Sequence, residues 1–313
     1  MDLKGRHLLT LKNYTKEEII FLLDFADAVK AEKRTGVFKK RMANKNIALI
    51  FEKPSTRTRC AFAVACYDEG ANCEYLGKTE IQLGYKESVE DTARVLGRMF
   101  DGIEFRGFSH RHVELLAEHS GVPVWNGLTD DDHPTQALAD LMTIREKFGK
   151  LKGLKLVYVG DGRNNVANAL MIASAKVGLN FTVVAPKTLL PDPELVAECK
   201  EFAERSGAKI EVTEDVEGVK GADAVYTDVW VSMGEEEKAA ERMEILKPYR
   251  VDDKLMAFAN ANAIFMHCLP AVKGNEVTES VFEGANSVVF DEAENRLHTI
   301  KAMMLASFGH KVI

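Results

Sequence analysis

Short apolar runs alternate with stretches of helical spacing along most of this 313-residue chain, and few folds accommodate that rhythm. Ile47 to Phe51 is one such run, and its length and abrupt end at Glu52-Lys53-Pro54 predict a buried strand. Beyond Ser55, the residues Phe62, Ala65 and Cys66 recur as on one face of a helix. Ser88 to Phe100 then reads helical, Ile103 to Arg106 extended, Arg111 to His119 helical, Val122 to Trp125 extended and Thr135 to Phe148 helical. Strands separated by helices pair in parallel, and a parallel sheet needs cover on both faces. Ahead of the series, Thr15-Lys16-Glu17-Glu18 fits a capping box, and Ile19, Ile20, Leu22, Leu23, Ala26 and Val29 carry a first helix to about Lys33.

At Gly149-Lys150-Leu151-Lys152-Gly153 the chain turns polar and a second series starts. Its strand candidates are Leu154 to Val159, Phe181 to Ala185, Ala224 to Thr227, Ile264 to Met266 and Val288 to Phe290. At about 150 residues per domain the length suits two domains, divided as residues 1–148 and 149–296. The expected class is α/β, with two doubly wound domains, each a central parallel sheet flanked by helices, and an active site in the cleft between them. Ligands in such folds sit beyond the carboxyl ends of the strands.

Composition narrows the ligand. Hydrophobic residues at 46% and charged residues at 28% suit a packed fold and exclude a disordered chain. The 41 Lys+Arg against 48 Asp+Glu leave a net charge of −7 with no basic run, so a nucleic-acid partner is not expected and an anionic ligand must be met by local positive charge. Five cysteines, an odd number without CxxC spacing, read as reduced thiols of a cytoplasmic protein. The opening residues Met1 to Arg6 are polar where a signal peptide is apolar, and no run approaches the ~18 apolar residues of a membrane span, so neither export nor a membrane is expected.

Polar residues cluster where strands end. Ser55-Thr56-Arg57-Thr58-Arg59 places three hydroxyls and two guanidiniums at a helix start, where unpaired N–H groups and the helix dipole already favour a phosphate. A simple cap beside solvated arginines would need only one hydroxyl. Arg106 ends its strand and points at the same crevice, although alone it would read as a surface arginine. His133-Pro134-Thr135-Gln136 sets His133 and Gln136 about one turn apart at another helix start, more than a cap requires.

In the second half, Gly160-Asp161-Gly162-Arg163-Asn164-Asn165 follows a strand but lacks the last glycine of a dinucleotide fingerprint, and no ribose-binding acid follows Ala185, so a nicotinamide dehydrogenase is the weaker reading. Asp228 to Gly234, followed by Glu235-Glu236-Glu237-Lys238, reads as a lid or as an ordinary surface loop with equal force. His267-Cys268-Leu269-Pro270 ends an apolar strand; neighbouring strand side chains point to opposite faces, which argues against a Cys-His nucleophile and leaves a buried inert thiol as the plain alternative.

Taken in order, Ser55 to Arg59, Arg106, His133 to Gln136, Asp228 to Gly234 and His267 to Pro270 resemble the ornithine carbamoyltransferases over nearly the whole chain. The first and third motifs are common to carbamoyltransferases, while Ser232-Met233-Gly234 and His267-Cys268-Leu269-Pro270 separate the ornithine enzymes from the aspartate and putrescine enzymes. The resemblance implies a carbamoyl-phosphate-binding first domain, an ornithine-binding second domain and a C-terminal helix of about 297–313 packed back on the first. It implies phosphate bound by Ser55, Thr56, Arg57, Thr58 and Arg106, and the carbamoyl group bound by Thr58, Arg106, His133, Gln136 and Arg296, with the carbonyls of Cys268 and Leu269 accepting from its NH2. Gln82 would reach a neighbouring subunit's site in a homotrimer, and Asn165, Asp228, Ser232 and Met233 would meet ornithine.

The implied reaction needs no metal or redox cofactor. Ornithine's side-chain amine attacks the carbamoyl carbon, phosphate leaves and citrulline forms, a step of arginine metabolism that serves either arginine biosynthesis or its breakdown. Arg106, His133 and Thr58 would stabilise the oxyanion, and Asp228 and a Cys268 thiolate are both open as acceptors of the amine's proton. Two competitors come from other classes: a non-catalytic paralogue that only binds, against which the full set Arg57, Arg106, His133, Gln136, Cys268 and Arg296 argues, and an enzyme for acetylornithine or putrescine, distinguished by pocket shape near Leu128, Ser232 and Met233.

Overall fold

The computed structural model describes residues 1–84, 86–231 and 239–311. The chain forms two compact units, one of Met1–Ala139 with Glu294–Ile313 and one of Asp140–Ala293. In chain order the helices and strands up to the middle are α1 (Lys16–Arg34), β1 (Asn46–Phe51), α2 (Thr56–Glu69), β2 (Asn72–Gly77), α3 (Val89–Leu96), β3 (Gly102–Arg106), α4 (His110–Ser120), β4 (Val124–Leu128) and α5 (Pro134–Phe148). There follow β5 (Lys155–Val159), α6 (Asn165–Val177), β6 (Asn180–Val184), α7 (Pro193–Ser206), β7 (Ile210–Thr213), β8 (Ala224–Thr227), α8 (Ala239–Leu246), α9 (Asp253–Met256), β9 (Ile264–His267), α10 (Glu279–Phe282) and α11 (Val289–Ser307).

In the first unit the sheet order is β2-β1-β3-β4, all parallel. The chain leaves β1 for β2 on one side and later builds β3 and β4 on the other, so the order reverses between β1 and β3. That reversal opens a crevice at their carboxyl ends, where ligands of doubly wound sheets bind. One face packs Ala48, Ile50, Ile103 and Phe105 against Val89, Ala93 and Leu96 of α3 and Val113 and Leu116 of α4. On the other, Trp125 meets Phe62 of α2 and Phe308 just past α11, with ring centroids 6.2 and 6.0 Å away, and donates from Nε1 to Ser307 Oγ at 3.1 Å. Gly102 is glycine because a Cβ there would lie 2.4 Å from the Trp125 ring.

Polar bonds fasten α11 to this unit. Lys301 Nζ and Lys33 Nζ both reach Asp68 Oδ2, at 2.5 and 2.7 Å, and Lys30 donates to Asn295 at 2.7 Å. Burial pushes the Asp68 carboxyl up, but the two ammoniums outweigh it and hold the group below its ordinary value.

The second unit has the parallel order β7-β6-β5-β8-β9 and reverses between β5 and β8. Val157, Val159, Val184, Val225 and Phe265 of its strands pack with Val219, Val251, Leu255, Val277 and Val281.

Two expectations about the C-terminal region require correction. Val288 to Phe290 is not a strand: a single bridge joins Phe265 and Ser287, and the chain enters α11 at Val289. The apolar pair Val288-Val289 is buried at a helix start, where a short run looks like a strand. The helix expected over about 297–313 accordingly starts earlier and ends at Ser307, with Gly309 at φ +85° beyond it. Strands β2 and β7 were not read from the sequence. Both lie at sheet edges and alternate polar with apolar residues, as in Asn72-Cys73-Glu74-Tyr75, so they present no apolar run. The five cysteines are free thiols, and among the described residues no helix is long and apolar enough to cross a membrane.

Candidate active site

Ser55 N-caps α2, its Oγ accepting from the Thr58 N–H at 3.2 Å. Thr56 is exposed, Arg57 half-buried, and Arg59 turns outward to stack its guanidinium 3.8 Å from the Tyr75 ring centre. Thr58 is fully buried, and its hydroxyl accepts from Arg296 Nη2 at 3.0 Å and Arg106 Nη1 at 3.5 Å. Arg296 also donates to Gln136 Oε1 at 2.6 Å and Thr135 Oγ1 at 3.3 Å. The first turns of α2 and α5, the end of β3 and the middle of α11 thus bring Thr58, Gln136, Arg106 and Arg296 together. Two guanidiniums on one neutral hydroxyl form a site for an anion with several oxygens.

His133 is buried beside this cluster, with Nδ1 3.4 Å from Thr135 Oγ1. Burial first, then Arg296, Arg106 and Arg57, pushes its pKa well below 6.5, so the imidazole is neutral at physiological pH. Thr135 Oγ1 accepts from Arg296, which directs its own proton to Nδ1 and leaves Nε2–H as the donor. Gln82 is exposed on the loop after β2 and takes no part in these bonds.

At the switch point of the second sheet, Asp228 follows β8. Its Oδ2 accepts from Asn164 Nδ2 at 2.9 Å, and its Oδ1 accepts from the Cys268 thiol at 3.0 Å and the Val229 N–H at 2.8 Å. Asn164, which also caps α6, was not singled out from the sequence; its partner Asp228 stands 64 positions further along the chain, and only the fold brings the two together. Asn165 is the first residue of α6 and half-buried. Burial and the Asp228 carboxylate push the Cys268 thiol well above its ordinary pKa. Cys268 is therefore held as a thiol that donates to Asp228.

His267 is no partner for a nucleophilic cysteine. Its Nδ1 accepts from the Leu269 N–H at 2.8 Å and its Nε2 lies 3.2 Å from Glu276. Asp228, His267 and Cys268 do hold ligand atoms within 4.8 Å of one another, yet each atom already has a protein partner, so the group is not built as a metal centre. Leu269 sits at φ +59°, a conformation uncommon outside glycine. In the Gly160 to Asn165 loop, Asp161 pairs with Arg242 and lies 3.3 Å from Arg163 Nε, putting an acid where a dinucleotide pyrophosphate would sit. Ser232 and Met233, with most of the lid candidate, lie outside the described residues.

A guanidinium pair and a neutral histidine at the switch point of a doubly wound sheet define an α/β enzyme that handles a small anionic substrate. The carbamoyl-P binding domain profile of the aspartate/ornithine carbamoyltransferases matches residues 6–146, and their Asp/Orn binding domain profile matches residues 152–307. The chain belongs to the aspartate/ornithine carbamoyltransferase family. It is 58% identical to the ornithine carbamoyltransferase of Caldanaerobacter subterraneus, with 98% of each chain covered. It is 57% identical to the catabolic ornithine carbamoyltransferase of Bacillus licheniformis, covering 99% of this chain and 98% of that one. The solved ornithine carbamoyltransferase of Pyrococcus furiosus superposes with a TM-score of 0.96 at 47% identity, covering 98% of both chains.

Proposed function

We propose that the protein transfers the carbamoyl group of carbamoyl phosphate to the side-chain amine of L-ornithine, giving L-citrulline and phosphate. The observation that carries the reading is the buried Thr58 hydroxyl shared by Arg106 and Arg296, with Gln136 and neutral His133 beside it. Residues 1–148, with the C-terminal helix, act as the carbamoyl-phosphate-binding domain and 149–296 as the ornithine-binding domain. Ser55, Thr56, Arg57, Thr58 and Arg106 bind phosphate oxygens. Arg106, His133, Gln136 and Arg296 bind the carbamoyl group, whose NH2 is met by the carbonyls of Cys268 and Leu269. Asn165, Asp228, Ser232 and Met233 bind ornithine.

In the reaction, the amine nitrogen bonds to the carbonyl carbon and the carbon–oxygen bond to phosphate breaks. Negative charge gathers on the carbonyl oxygen, where guanidinium N–H groups and the His133 Nε2–H are donors worth most in a dry site. A free alkyl ammonium has a pKa near ~10, so a proton must leave nitrogen before attack. Asp228 is the acceptor, held in place by Asn164 and Cys268.

We further place the protein in the cytoplasm as a homotrimer in which Gln82 completes a neighbouring site, serving arginine biosynthesis. The catabolic name of the Bacillus relative makes the relative rates of citrulline synthesis and citrulline phosphorolysis the measurement that decides the direction. The test of the reaction is citrulline formation from carbamoyl phosphate and ornithine at mildly alkaline pH, with putrescine, acetylornithine and aspartate in parallel. Activity with ornithine alone is expected. Activity with another amine instead overturns the assignment of Ser232 and Met233, and silence with all four overturns the transferase reading.

A further inference from the structure

Two residues before Arg106, β3 carries an ionisable side chain to which the reaction assigns no part. Glu104 is fully buried, and neither of its carboxyl oxygens has a hydrogen-bond partner among the described residues. Residues two apart on a strand share a face, so Glu104 and Arg106 point the same way. The backbone is shaped to admit this carboxyl group. Pairing of β3 with β4 slips between Phe105 and Arg106, which leaves Gly127 without a register partner. A Cβ on Gly127 would stand 2.0 Å from Glu104 Oε1 and 3.1 Å from the Thr58 methyl carbon. The carboxyl group therefore lies over a deliberate gap, against the residue whose hydroxyl anchors both guanidiniums.

The charged groups facing Glu104 are Arg106 on its own strand and Arg296 from α11. Its register neighbours, Leu49 of β1 and Trp125 of β4, are not acids or bases, and α2 contributes Thr58. Burial leaves the Glu104 pKa well above the ordinary carboxyl value even against the pull of the two guanidiniums, so this group takes a proton far more readily than a surface acid.

We propose that Glu104 is a positioning residue for carbamoyl phosphate, its carboxylate balancing Arg106 and Arg296 in the unliganded site and taking a proton from solvent when the dianionic substrate claims those guanidiniums. A buried carboxylate tolerates its charge through its counter-ions, and once these turn to a ligand carrying two negative charges the neutral acid is favoured. The proposal rests on the reading of the Thr58 cluster as the carbamoyl phosphate site.

The experiment is calorimetric titration of the full-length enzyme with carbamoyl phosphate at about pH 8, where a phosphate group is already dianionic, in two buffers of different ionisation enthalpy. The wild type is expected to take up a substantial fraction of one proton per bound ligand. Glu104→Gln, of the same shape, is expected to take up markedly less, and its KM for carbamoyl phosphate to stay flat with pH where that of the wild type rises by up to about tenfold per unit. The change falls on KM more than on kcat, and Glu104→Asp restores the slope in part. Equal proton uptake and equal pH slope in Glu104→Gln overturn the proposal. So does wild type that binds without proton uptake, a result that needs no variant to fold. Wild type that fails to bind carbamoyl phosphate at all overturns the proposed function itself, an outcome distinct from the other two.

Discussion

Thr58 lends one hydroxyl to two guanidiniums, and that sharing sets what each nearby substitution costs. Arg106→Gly removes an oxyanion donor while Arg296 keeps Thr58 and Gln136 in place, so kcat is expected to fall by about 10²–10³ with the fold intact; steady-state kinetics beside circular dichroism checks both halves of that statement. Cys268→Ser keeps a donor to Asp228, so turnover should persist with a raised ornithine KM. A folded but wholly inactive serine variant would return the thiol to covalent catalysis. Arg106, His133 and Asp228 were legible because each stands at a strand end or helix start, where the fold class itself directs attention. Asn164 and Thr135 were not, because their roles are to hold other functional groups across a switch point or a single turn, and only coordinates show the partner. Glu104 looked like any member of an extended run, since nothing local announces an acid without a partner.

The first turn of α2 holds a helix cap and, in the function proposed above, the phosphate, and the two duties separate on substitution. Ser55→Ala removes the hydrogen bond to the Thr58 N–H and is expected to cost about 1 kcal/mol of stability, measured by denaturant unfolding. Thr15→Ala, which breaks the capping box of α1, where Thr15 and Glu18 exchange bonds of 3.2 and 2.8 Å, should cost a similar amount and leave carbamoyl phosphate binding alone. A larger loss of substrate affinity in Ser55→Ala than in Thr15→Ala therefore isolates the phosphate contact. Central strands β1, β3, β5, β6 and β8 were readable as apolar runs because both of their faces are covered, and the edge strands β4 and β9 because every residue in them is buried. Edge strands β2 and β7 were not, since half their residues meet solvent, and Val288-Val289 misled because a buried helix start has the same local composition as a short strand.

At the scale of the whole chain, the pH dependence of stability should carry the mark of Asp68. Its carboxyl is held below the ordinary range by Lys301 and Lys33 despite burial, so the stability it adds is present above the unfolded-state value and is lost as pH falls through the depressed folded value. Acid unfolding of Asp68→Asn, followed by fluorescence, should show a shallower dependence on pH below about 4 and a lower stability near neutrality, because two ammoniums then lack their shared partner. Sedimentation is expected to report a trimer, and a monomer retaining full activity would remove Gln82 from the site. A chain of two domains was legible from the second strand series that starts past Gly149, but the units themselves divide between Ala139 and Asp140, inside α5, where no local pattern marks it, and the last segment returns to the first unit. That return has a consequence for biosynthesis. The segment that supplies Arg296 and Lys301 leaves the ribosome only after the whole of Asp140–Ala293 has been made, a delay of roughly 8–30 s at typical elongation rates. Through that interval the nascent first unit holds Thr58 and Arg106 without the helix that completes them, so a message truncated near its end should yield a chain with an intact second unit and an unfinished first one.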